Sequence, residues 1–273
     1  MNDDMTEDRQ TDRRFATTLA RGLSVLRAFR PSDEGLGNAE ISDRTGLPKS
    51  TVSRLTFTLN ELGYLTHGRR HDRYRLGPAL LALGNVAGAS MSVVDLSAPL
   101  MQRLADDTGT LSILLVRDDR RMLLVKTWRP HGVASLWLEV GHRPPFNGSS
   151  SGHAMLAALG EADFVRLVGV IAGDRGLTMA RAREIRSEAG RQLMSDGFVI
   201  ADPRTYFLPN IHAVAVPFRS RDLSEPVIFT SGALPDVLSV DRMRSEVGPK
   251  LRATVQELER MTGQRSASAY RDL

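Results

Sequence analysis

The chain reads as an α+β protein in two parts. A winged helix-turn-helix comes first, then a linker helix and a larger mixed domain built on an antiparallel sheet. Three observations predict this. Residues 38–77 hold two short helical patterns separated at Gly46, followed by a basic hairpin. A stretch rich in Leu, Ala and Gly follows from Pro78 to about Ala89. From Leu96 onward, consecutive strand patterns alternate with groups of helical ones, an order that fits an antiparallel sheet better than a doubly wound parallel one. The boundaries expected are a disordered tail at 1–14, a winged helix-turn-helix at 15–77, a linker helix at 78–90 and a second domain at 91–273.

Each element has its own signal. Residues 1–14 are polar and charged, without periodicity. A first helix spans about Thr17 to Phe29, with Leu19, Leu23, Leu26 and Phe29 at helical spacing. Asn38 is placed to cap a second helix that ends by Gly46. Pro48 opens a third helix, where its missing N–H costs little. That helix carries Val52, Leu55, Leu59 and Leu62 as an inward stripe and leaves Lys49, Ser50, Ser53 and Arg54 outward. Gly63 suits the left-handed residue after a helix. Two short strands flank a turn at 68–72, Tyr74 and Leu76 pointing in against Arg73 and Arg75. The Pro78–Ala89 helix is apolar around much of its circumference, so a partner subunit is expected to cover it.

In the second domain, Pro99–Thr108 reads as an amphipathic helix. Leu111–Val116, Arg121–Trp128 and Val133–Val140 read as strands, the first two joined by a turn at 118–120. Ser151–Leu159, Ala162–Ile171 and Ala180–Ser195 read as helices, and Phe198–Ala201, His212–Phe218 and Val227–Ser231 as strands. Asp241–Met261 reads as a long terminal helix.

Composition narrows the function classes. At 273 residues the chain is long enough for two cores. The absence of cysteine excludes disulfides and cysteine-based zinc sites, and is compatible with a reducing cytoplasm. The acidic, polar amino terminus does not read as a signal peptide, and no apolar run has membrane-spanning length. No His/Asp/Glu cluster has metal spacing and no Walker or Rossmann loop is present, so no cofactor is expected. A net charge of +4 says little about partners, whereas its distribution says more. From Ile41 to Leu76 the chain holds seven Lys/Arg (44, 49, 54, 69, 70, 73, 75) against three acids (43, 61, 72). Basic charge gathered on one small domain is the footprint of phosphate binding.

These features together point to duplex DNA. Ser50, Thr51 and Ser53 can bond base edges or phosphates if the third helix enters the major groove. Arg54 can grip a guanine with both arms, and Lys49 suits a phosphate. Arg69, Arg70 and Arg73 of the hairpin suit the backbone or minor groove, though a solvated hairpin arginine reads equally well.

The run Thr-Gly-Leu-Pro-Lys-Ser-Thr-Val-Ser-Arg-Leu (45–55) closely resembles the helix-turn-helix of the IclR family of transcriptional regulators. Residues 19–29 resemble that family's first helix and 72–77 the end of its wing. Residues 145–157, Asp196-Gly-Phe198 and Ala213-Val-Ala-Val-Pro217 resemble its effector segments, and the opening at 19–23 resembles the branch that controls aromatic-acid catabolism. The resemblance implies a GAF-like second domain that binds a small metabolite, often a carboxylic or aromatic acid. It also implies a cytoplasmic repressor or activator that binds operator DNA as a homodimer or homotetramer. Two departures fall in the effector block: His153 stands where the family often has Lys, and Arg204 stands near an expected Glu.

The effector residues expected are Phe146, Asn147, Ser149, Ser150, Ser151, Gly152, His153, Asp202, Arg204, Tyr206, Asn210, Phe229 and Ser231. The serines lead into a helix whose first amides, with the hydroxyls, make an anion site for a carboxylate. Helix capping explains them equally. Arg204 and Asn210 suit the opposite wall. Phe146, Tyr206 and Phe229 suit an apolar lining or plain core packing. Gly148–Gly152 also matches the G-x-S-x-G elbow of serine hydrolases, with Asp202 and His212 following in hydrolase order. That alternative makes the chain an enzyme using Ser150. Pro144 and Pro145 oppose it, because the elbow needs a strand just before its serine.

Overall fold

The computed structural model describes residues 14–30, 32–67, 73–136 and 138–263. The expected tail, apart from Arg14, the wing turn at 68–72, and with it Arg69 and Arg70, lie outside them. The chain divides into two compact units, Met1–Ser90 and Met91–Leu273.

The first unit contains α1 (Thr17–Arg27), α2 (Asn38–Thr45), α3 (Lys49–Glu61), β1 (Leu65–His67), β2 (Tyr74–Leu76) and α4 (Pro78–Ala89). Val25, Leu36, Ile41, Val52 and Leu65 form its core. The α1 face turned inward carries Gly22 and Val25, whereas Leu19 and Leu23 of the expected stripe are 63% and 48% exposed. Asn38 does not cap α2. Gly37 precedes the helix, and its N–H is taken by Glu40 Oε2 at 2.8 Å. Asn38 Oδ1 instead accepts the Thr56 hydroxyl at 3.0 Å, tying α2 to α3. Gly46 ends α2 at φ 71°, and Gly63 follows α3 at φ 75°; both conformations are readily open only to glycine. Leu62 lies beyond the last turn of α3, exposed, and the short β2 leaves Leu76 exposed as well. Helix α4 buries none of its residues within this chain.

The second unit contains α5 (Ser92–Thr108), β3 (Leu111–Asp118), β4 (Arg121–Trp128), α6 (Ser150–Ala158), α7 (Glu161–Ile171), α8 (Met179–Ser195), β5 (Val199–Ile200), β6 (His212–Phe218) and β7 (Val227–Ala233). A turn at Val240–Arg242 and a π-turn at Met243–Val247 lead into α9 (Gly248–Met261). Helix α5 starts seven residues before Pro99 because the Asp222 carboxylate accepts both the N–H and the hydroxyl of Ser92. The sheet is antiparallel, ordered β4-β3-β7-β6-β5. One core includes residues of α6, α7 and α8 on one face of it. The other includes residues of α5 and α9 on the opposite face.

Residues 133–140 carry a strand pattern, yet the described ones among them form no strand. The free edge of β4 is paired by the following residues instead: Met122 N–H donates to Pro144 O at 3.0 Å and Leu124 N–H to His142 O at 2.9 Å. The Arg129 guanidinium takes the carbonyls of Leu136 and Leu138 that a ladder would have used.

Candidate DNA interface and ligand cavity

In the first unit the helix-turn-helix exposes a particular set of side chains. Lys49, Ser50, Ser53 and Arg54 are exposed and Thr51 is half-buried. Lys49 and Arg54 form no ion pair among the described residues. The other described cations of this region are engaged. Arg44 grips both carboxylate oxygens of Asp33, at 2.6 and 2.9 Å, and the Arg44 hydrogen bond is the main reason that carboxyl sits below its usual range. Arg73 donates to Gly35 O and to Glu40 Oε1 at 2.9 Å, and Arg75 to Glu34 O. Hydrogen bonding by the Gly37 amide, then by Arg73, holds the Glu40 carboxyl low. Arg73 therefore braces the wing against α2. The bonded pair formed by Leu36 and Tyr74, whose amides donate to each other's carbonyls at 2.9 and 2.8 Å, fixes the same wing. Phe57, 65% exposed on α3, is not among the residues the sequence singles out.

In the second unit the loop before α6 is buried. Ser149 Oγ accepts from Gly152 N–H at 3.0 Å and donates to Pro145 O at 2.6 Å, so it caps α6. Ser150 Oγ donates to Ala213 O at 2.6 Å and accepts from Ala201 N–H at 3.0 Å, joining α6 to β6 and to the end of β5. A Cβ on Gly152 would come within 2.4–2.7 Å of the Phe146 backbone, so only glycine fits. Asn147 donates to Arg175 O and Phe146 is buried in the core. These five residues build the loop and leave little for a ligand.

The remaining candidates separate. Ser151 and Tyr206 line a small cavity of about 30 Å³ with Phe207, Ile211, Leu136 and Leu138, over the β7 residues Thr230 and Gly232. Among the described residues its lining is apolar apart from three hydroxyls and includes no cation. Burial pushes the Tyr206 hydroxyl up to about 12, against hydrogen bonding at Ser150. Thr230 is 4% exposed and its Oγ1 has no hydrogen-bond partner. Sequence reasoning chose Phe229 and Ser231 instead. Side chains alternate along a strand, so these two face away from this cavity; Phe229 belongs to the core on the opposite face. The signal that could have found Thr230 is a polar residue between apolar ones on a buried strand.

His153, Asp202 and Arg204 line a separate, wider groove of about 630 Å³ beside α8. His153 Nε2 accepts Gly148 N–H at 3.3 Å. Burial, and then the nearby Arg181 charge, lower its pKa to about 4, so it is neutral near pH 7. Asp202 and Arg204 pair with each other at 2.8 Å. Asn210 is exposed and lines neither space.

The serine, aspartate and histidine of the hydrolase alternative do not meet. Ser150 is committed to two backbone groups and Asp202 to Arg204, while His212 Nδ1 bonds Leu238 O at 2.7 Å.

The IclR helix-turn-helix domain model matches residues 18–68, and the model of the bacterial transcriptional regulator IclR C-terminal region matches 87–171. The HTH-type transcriptional regulator TsaQ1/TsaQ2 of Comamonas testosteroni is 28% identical over 89% of this chain and 87% of its own length. The Pca regulon regulatory protein of Pseudomonas putida is 31% identical over 57% of this chain and 53% of its own. An IclR homologue from Microbacterium hydrocarbonoxydans, solved in complex with 4-hydroxybenzoate, shares the fold: TM-score 0.64, 22% identity, 88% of this chain and 99% of that one. An IclR-family transcriptional regulator from Brucella abortus superposes with a TM-score of 0.74 at 31% identity, covering 92% of this chain and 95% of that chain. With both halves present in order and that likeness running nearly end to end, the chain belongs to the IclR family of transcriptional regulators and is a DNA-binding regulator, not a hydrolase.

Proposed function

We propose that α3 reads an operator through Lys49, Ser50, Thr51, Ser53 and Arg54, and that a small monocarboxylic or aromatic acid in the cavity over Thr230 modulates that binding. The carrying observation is the orphan Thr230 hydroxyl at the edge of an enclosed apolar space, beside the first turn of α6. A ligand site is typically apolar with a few placed polar groups, and a helix start favours negative charge. The absence of a lining cation favours one ionised group over two, because a buried charge without a partner is costly. The two relatives named for tsa-type and Pca regulation and the structure holding 4-hydroxybenzoate support an aromatic acid as the first candidate.

The protein acts as a dimer or tetramer in the cytoplasm. Leu81, Leu83 and Val86 of α4 are 68%, 53% and 71% exposed, apolar surface around much of the helix that suits a second copy. Through such a pairing the 78–90 helix sets the spacing of two DNA-binding units. The effector shifts that spacing only by its differential affinity for the two arrangements.

A thermal-shift screen of the full chain against aromatic and keto acids, followed by gel shifts with each hit, tests this. A hit that raises the melting temperature and changes operator affinity is expected; no hit among monoacids rejects the effector reading. Selection from random duplexes should yield a two-fold symmetric site, and Arg54→Ala should bind it at least about tenfold more weakly. Unchanged affinity and preference in that variant reject the DNA contacts.

A further inference from the structure

We infer that Arg129 is a positioning residue for the ligand cavity, a latch that holds the described residues of the segment, 131–136 and 138–144, over it. The inference rests on that cavity being the effector site. The segment leaves the end of β4, passes over the sheet face and returns to the β4 edge at His142 and Pro144. Among its described residues there is no helix or strand. Midway, Arg129 Nη1 donates to Leu136 O at 2.5 Å and Nη2 to Leu138 O at 2.8 Å. One guanidinium thus takes two carbonyls two residues apart, as the amides of a neighbouring strand would. The planar fork suits that pair, and a lysine ammonium does not.

Leu136 and Leu138 both line the cavity, and a Cβ on Gly232 would lie 3.8 Å from Leu136 Cδ1. The opposite walls are rigid: β3, β7 and β6 form a continuous ladder, and Ser150 bonds α6 to it. At about 30 Å³ the cavity matches the volume of one water molecule. An acid with a ring is several times larger, so a wall must move to admit it. Two walls carry no ladder, this segment and residues 206–211. Phe207 N–H of the latter is bonded to Gly148 O at 2.8 Å, whereas Leu136 and Leu138 are held through the Arg129 side chain, the hold that opens at less cost. Arg129 therefore sets how often it opens and how long a ligand stays.

Hydrogen exchange of the ligand-free full chain tests the latch, comparing wild type with R129M and R129K. Methionine keeps much of the apolar stem and loses the fork. Amides of 131–140 should exchange about tenfold faster in R129M and at an intermediate rate in R129K, with those of β3 and β7 unchanged. With 4-hydroxybenzoate as the probe, dissociation from R129M should be about tenfold faster while the ligand-free melting temperature holds. Unchanged exchange in 131–140, or an equal loss of protection in β3 and β7, overturns the latch. Exchange alone decides this point. A wild type that fails to bind the probe counts against the effector reading of the cavity.

Discussion

Two helix starts in this chain look alike in sequence and do opposite work. Helix α3 begins Lys49-Ser50-Thr51 and α6 begins after Ser149 with Ser150-Ser151. At α3 the small polar residues are exposed or half-buried, and Lys49 and Arg54 form no ion pair among the described residues. At α6 the three serines are buried, and two of them bond backbone groups of other segments. Hydroxyls left in solvent are available to a partner. Hydroxyls enclosed by the fold are spent on satisfying it, since a buried polar group without a partner is costly. A serine-rich helix start therefore identifies an interface only once its burial is known.

The largest expected effect strikes the buried start. Gly152→Ala would drive a methyl into the Phe146 backbone, and a loss of about 3 kcal/mol or more is expected in thermal or denaturant unfolding. A well-folded variant would show that the α6 loop is less closely packed than its geometry indicates. Ser150→Ala should cost about 2 kcal/mol by stranding Ala213 O and Ala201 N–H, whereas Ser50→Ala should lie within about 0.5 kcal/mol of wild type. Similar stability losses at the two serines would break the comparison.

His153 gives the pH dependence of the same loop. Its folded pKa of about 4 lies below the ordinary 6.5, so the unfolded chain takes up the proton first as pH falls. Its contribution is whole above pH 6.5 and is lost between 6.5 and about 4, amounting to roughly 3 kcal/mol. Melting curves of His153→Gln, which retains an acceptor for Gly148 N–H, should fall less steeply over that window. Parallel curves would place the acid sensitivity elsewhere.

The smallest effect sharpens the contrast, because three buried hydroxyls in the second unit, those of Ser112, Thr230 and Ser231, are unspent, and of these Thr230 lines the cavity. Thr230→Val removes an orphan of nearly the same shape, so the ligand-free stability should stay equal or rise by up to about 1 kcal/mol. Affinity for any acid found by the screen should fall by about tenfold. A destabilised variant with full affinity would assign Thr230 to the fold.

The sequence by itself determined the order of the two units and nearly every helix, because helical spacing, Gly46, Gly63 and Pro78 are local signals that local sterics enforce. It determined the surface of α3 as well, since a solvent-facing side chain keeps the character its residue type confers. Only the tertiary structure decided which residues meet around the cavity. A shift of one residue along β7 exchanges Phe229 and Ser231 for Thr230, because side chains alternate across a strand and the covered face is chosen by what packs on it. The structure likewise turned the strand pattern at 133–140 into a segment bonded by Arg129, since β4 has one free edge and residues 141–144 occupy it. Burial and strand pairing are properties of the whole chain, and no window of the sequence contains them.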